Sequence, residues 1–110
     1  MQNDLKREPI HATGYVKKVL DAIEPIASMF AKIHNGKSQT IGNEITIRAL
    51  SKGTYVTIQI CVKGKTDDLS IEITGIKRSG LESGRVVISL NKCEVDAAEV
   101  KKGLDSVLAG

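Results

Sequence analysis

A chain of 110 residues, 41% hydrophobic and 26% charged, has the length of one domain and enough apolar side chains for one core; at this size about two-thirds of the unfolded surface is buried. Aromatics make up only 3% of the chain, so aliphatic side chains must do the packing, and no apolar run approaches the roughly 18 residues of a membrane-spanning helix. The net charge of +3, with its basic excess in residues 1–92 and an acidic balance after them, is too small to demand a polyanionic partner.

Residues 1–8 are polar and aperiodic, and they read as a disordered tail ahead of a single α+β domain spanning 9–110. No apolar h-region follows them, which gives the expectation of a soluble, cytoplasmic protein. Pro9 to Ala12 could serve as an extended lead-in at a sheet edge. From Thr13 onward Val16, Val19, Leu20, Ile23, Ile26, Ala27, Phe30 and Ile33 recur at helical spacing, so one stripe of a helix is apolar. Thr13 is placed to cap its start and Asn35-Gly36 to close its end. Pro25 interrupts the middle and lacks the N–H that would bond back to Asp21, predicting a kinked helix or two abutting ones.

Gly36 to Gly42 reads as a polar connection. Four segments then place apolar residues at every second position: Ile45 to Ala49, Val56 to Val62, Leu69 to Ile73 and Val86 to Leu90. Ser51-Lys-Gly-Thr54 is a tight turn between the first two, and Lys63 to Asp68 and Lys77 to Gly84 are longer glycine-bearing loops. Together they predict a four-stranded antiparallel meander. After Cys93, Asp96-Ala-Ala-Glu99 has capping-box spacing, and Val100, Leu104, Val107 and Leu108 follow at helical intervals, with Gly103 weakening that helix by about 1 kcal/mol relative to alanine.

Two helical stripes and one apolar sheet face close into a two-layer α+β sandwich with both helices on one side. The opposite face is then uncovered and carries Thr46, Arg48, Tyr55, Thr57, Gln59, Cys61, Ser70, Glu72, Thr74, Arg85, Val87 and Ser89.

The candidate chemistry is thin. Ala31-Lys-Ile-His-Asn-Gly36-Lys37-Ser38 meets a permissive phosphate-loop pattern, but that loop needs a strand before it and a helix after it, and here the order is reversed. His11 and His34 fall at opposite ends of the first helix, more than about 30 Å apart, too far to share a metal. Cys61 and Cys93 have neither CxxC nor zinc spacing and read as reduced thiols, and Cys61 has no evident histidine partner. Asp67-Asp68, Glu44 and Glu72 lack the spacing of a calcium loop and the burial that tunes a general acid. A carrier pocket of a few hundred Å³ is not expected from a four-stranded sheet under two packed helices.

No catalytic, cofactor or metal set results, and the expectation is a non-enzymatic interaction module, an adaptor or regulator that uses the uncovered sheet face or a sheet edge and self-associates as a homodimer. Its partner would be another protein or a second copy of the chain, with no membrane or metal involved. The candidate interaction face is Arg48, Tyr55, Thr57, Gln59, Arg85 and Val87. The alternative is single-stranded nucleic acid lying across the sheet, with Lys63, Lys77 and Arg78 joining Arg48 and Arg85 at phosphates and Tyr55 stacking on a base.

Overall fold

The computed structural model describes residues 12–65, 68–92 and 94–109. The tail at 1–8, the lead-in at 9–11 with His11, the capping side chain of Thr13, and Asp67 and Cys93 lie outside the described residues. In chain order the elements are α1 (Ala12–Ile33), β1 (Lys37–Ile41), β2 (Glu44–Ser51), β3 (Thr54–Lys65), β4 (Asp68–Ile76), β5 (Glu82–Ser89) and α2 (Ala97–Ala109). The five strands form one antiparallel sheet in sequential order, and both helices contact it.

Along α1, Val19, Leu20, Ile23, Ala27, Phe30 and Ala31 are buried, as the stripe requires. One helix runs through Pro25, so of the two alternatives the structure has a single helix and not two abutting ones. Pro25 and Asp21 both lie on the exposed side, so water can bond the carbonyl that proline leaves free, while the buried stripe keeps its phase. Ala12 is already helical, which places Thr13 within the helix rather than before it. At the other end Asn35 adopts the left-handed conformation with φ 54°, and the Gly36 N–H bonds back to the Ala31 carbonyl at 2.7 Å. Gly36 is needed for a second reason, because a Cβ there would overlap the Arg48 carbonyl oxygen.

The meander has five strands, not four. β1 was expected to be a polar connection, because only Ile41 in Lys-Ser-Gln-Thr-Ile is apolar and alternation cannot appear in a strand with no buried residue. The Gly42-Asn43 pair before Glu44, with Gly42 at φ 63°, is the local signal for it, since glycine first in a two-residue turn suits a hairpin. The next turn matches expectation: Lys52 and Gly53 both take positive φ, 53° and 79°, the mirror-image turn that twists with its strands. The two later loops are shorter than predicted. Lys63 and Lys65 belong to β3, which runs directly toward Asp68 of β4, and β5 already begins at Glu82.

Register makes the core. Ile45, Ile60, Ile73 and Val86 are consecutive neighbours across four strands, and so are Val62, Ile71 and Ile88 across three. A third row runs Ile47, Ile58, Gly75, Gly84, and its glycine half forms a notch where Val107 of α2 sits. Gly103 of α2 is buried for the same reason, since a Cβ there would come within 3.0 Å of Ile73 Cδ1. Each fully buried isoleucine or leucine contributes about 1.5–3 kcal/mol through the surface it removes from water. Among the described residues no charged or polar side chain is fully buried.

The start of α2 shows the Asp96 half of the predicted capping box, and among the described residues there is no return bond from the Glu99 side chain. Asp96 Oδ1 accepts the N–H groups of Ala98 at 3.0 Å and Glu99 at 3.3 Å, two donors that a helix start otherwise leaves without partners.

Candidate functional site

The uncovered face carries the residues the alternation assigns to it. Arg48, Tyr55, Arg85, Val87 and Ser89 are exposed, and Thr46, Thr57, Gln59, Cys61, Ser70, Glu72 and Thr74 are partly so. Register adds Lys37 and Gln39 beside Arg48 and Thr46, and Leu50 beside Tyr55. Leu50 lies outside the period-two set because it sits one step past the last inward residue, Ala49.

Electrostatics divide this face in two. Toward β5, Glu72 receives Lys63 Nζ at 2.6 Å and Arg85 Nη1 at 2.8 Å, and Arg85 Nη2 also reaches Glu82 at 2.8 Å. Lys63 and Arg85 each lie diagonally across a strand pair from Glu72, a placement set by register alone. The hydrogen bond from Lys63, helped by Arg85, holds the Glu72 carboxyl below its ordinary pKa; Arg85 does the same for Glu82. Reciprocally, Glu72 raises the Lys63 pKa and Glu82 raises that of Arg85. Two of the cations assigned to phosphate in the nucleic-acid reading are therefore already neutralised.

The other half, where β2, the β2–β3 turn and the β4–β5 loop meet, keeps its positive charge. Arg48 Cζ stands 4.7 Å over the Tyr55 ring, and the Tyr55 hydroxyl points to the Asn35 carbonyl at 3.5 Å. Arg78 projects from a loop closed by two backbone bonds of 2.8 Å, Lys77 N–H to the Leu81 carbonyl and Gly80 N–H to the Lys77 carbonyl. Arg48, Gly53, Thr54, Tyr55, Thr57 and Arg78 line one cleft of about 350 Å³. Lys77 turns with Arg78 into an adjoining cleft of about 270 Å³ beside Leu108 and Ala109 at the end of α2.

The remaining candidates stay apart. His34 packs its ring 4.5 Å from that of Phe30, and its carbonyl accepts the Leu50 N–H at 2.8 Å. Partial burial, with Glu44 next in effect, pushes the Cys61 thiol pKa up, the opposite of what a nucleophile needs. Gly36 ends a helix and Lys37 begins a strand, so no helix N-terminus faces the phosphate-loop-like segment. Two grooves do exist, contrary to the expectation of none. One of about 860 Å³ runs between the first half of α1 and the β1–β2 turn, past Val16, Leu20 and Val62. The other, about 300 Å³, lies between the helices beside the exposed Met29 and Ile33. Both are lined by residues from elements far apart in the chain, which no local pattern encodes. Compared with known families, curated proteins and solved structures, the chain matches none.

Proposed function

We propose that the protein is a non-enzymatic interaction module that pairs through the outer edge of β1, which has no strand beside it among the described residues, first of all with a second copy of itself, with the bare sheet face beside that edge extending the contact. The supporting observation is the difference between the two outer strands. β5 is blunted: its register slips between Gly75 and Ile76, and it presents Glu82 and Arg85. β1 is regular over its whole length, contains no proline, and has only uncharged Ser38, Gln39 and Thr40 at its centre.

The direction of its free groups follows from the turn. A two-residue hairpin makes Ile41 and Glu44 a hydrogen-bonded pair, so bonding alternates to Gln39 with Thr46 and Lys37 with Arg48. Ser38 and Thr40 then direct N–H and C=O outward. A second β1, antiparallel about Gln39, sets Ser38 of one copy opposite Thr40 of the other and satisfies all four groups on each side, joining two sheets around a two-fold axis. The nucleic-acid reading is left with Arg48, Lys77 and Arg78, because Lys63 and Arg85 are ion-paired.

Sedimentation velocity from low to high micromolar concentration tests this. A species of twice 11.8 kDa is expected. Thr40→Pro removes an outward N–H but no bond to β2, so it should give a folded monomer. A wild type that stays monomeric at every concentration, or a Thr40→Pro variant that still dimerises, rejects the edge pairing.

A further inference from the structure

We infer that the cleft between the Ser51–Thr54 turn and the Lys77–Leu81 loop is a binding site for a phosphoryl group, carried by a small phosphate monoester or present as free phosphate, with Arg48 and Arg78 as its principal donors. The first ground is uncompensated charge. Among the described residues no carboxylate lies within ion-pair distance of either guanidinium, while Glu72 and Glu82 are committed to Lys63 and Arg85. The unpaired guanidiniums of the described face, Arg48 and Arg78, thus meet in this one cleft.

The second ground is preorganisation. The Arg48 guanidinium is held over the Tyr55 ring at 4.7 Å, a contact with the ring that takes up no carboxylate and leaves N–H donors for a bidentate contact. Arg78 arrives from a loop whose backbone is already tied, and Thr54 and Thr57 add hydroxyls to the same cleft. A single carboxylate is satisfied by one arginine, whereas two guanidiniums and two hydroxyls suit the three terminal oxygens and nearly two negative charges of a phosphate monoester. Gly53 leaves its side of the cleft open, and about 350 Å³ accommodates an organic substituent as well as the phosphoryl group. A long nucleic-acid strand fits less well, because its next phosphates would meet the neutralised half of the face. The donors lie on β2, β3 and the β4–β5 loop and not on β1 itself, so Thr40→Pro, which blocks the edge, leaves them in place for the titration.

The test is a ¹H–¹⁵N NMR titration of the intact chain with inorganic phosphate, phenyl phosphate and a short single-stranded oligonucleotide, at ionic strength held constant with chloride. Saturable shifts are expected at Arg48, Thr54, Thr57 and Arg78. Arg78→Gln, on an exposed loop, should weaken binding at least about tenfold, the loss of a charge-assisted hydrogen bond. Arg85→Gln should change it less than about twofold. Tighter binding of phenyl phosphate identifies a monoester as the ligand, and equal affinity identifies free phosphate. The inference is overturned by the absence of saturable shifts at tens of millimolar, or by wild-type affinity in Arg78→Gln. It is equally overturned by tight oligonucleotide binding that has a steep salt slope and depends on Arg85.

Discussion

Ser83 Oγ donates a 2.7 Å hydrogen bond to the Val107 carbonyl, tying the irregular start of β5 to the last turn of α2. The extra residue in β5 makes this contact possible: Gly75 pairs with Gly84 and Ile76 with Glu82, so Ser83 has no partner in β4 and turns toward the helix. A carbonyl near a helix end has no intrahelical donor, and this hydroxyl supplies one.

Ser83→Ala should therefore cost about 1 kcal/mol of unfolding free energy, read from urea denaturation with an unchanged slope. Gly75→Ala should cost more, about 1–3 kcal/mol, because the new Cβ would overlap Ser83 Oγ and lie 2.9 Å from the Val107 carbonyl oxygen. Equal losses in the two variants would show that the glycine notch is not what seats α2.

Ile58 and Thr57 are neighbours in β3 that face opposite ways. Ile58 has 0% exposure beneath the helices. Ile58→Asp should unfold the domain, since an unpaired buried carboxylate costs several kcal/mol against a total of about 5–15. Thr57→Asp leaves its charge in water and should keep a cooperative melt, while placing a negative group opposite Arg48. Thermal melts of the two variants decide the matter, and a reversed outcome would mean that the sheet's faces have been exchanged.

Acid should loosen the ion-paired half of the open face. The folded-state pKa values of Glu72 and Glu82 are lowered, so their contribution to stability is fully present above the unfolded glutamate value of about 4.3 and is lost as pH falls through the lower folded values. Wild-type melting temperature should fall between about pH 5 and 3, and Glu72→Gln should reduce that dependence. Added salt should reduce it too, because the pairs are exposed and screened. Identical pH profiles for wild type and Glu72→Gln would remove the network from the stability of the fold.

Asp96→Ala should cost about 0.5–2 kcal/mol, because the Ala98 and Glu99 N–H groups lose their acceptor. Asp96→Asn keeps an oxygen in place and should recover most of that loss. Denaturation midpoints of the pair separate the cap from the charge.

The sequence by itself determined every element with a buried face. In β2 to β5 the two-residue period names Ile45, Ile58, Ile71 and Ile88 as core, and all four are buried. The helical stripes and the Asp96 cap are equally local, because a side chain's direction in a regular element depends only on its position along the chain. The same rule gave the open face, down to the exposed Val87. Tertiary structure decided the rest. β1 is a strand because β2 offers it an edge, not because burial patterns its residues. Lys63 and Arg85 looked as free as Arg48 and Arg78, but the register of β3, β4 and β5 brings Glu72 and Glu82 to the first two and no described carboxylate to the others. Charge pairing across strands depends on residues far apart in the chain, and only the folded sheet sets that distance.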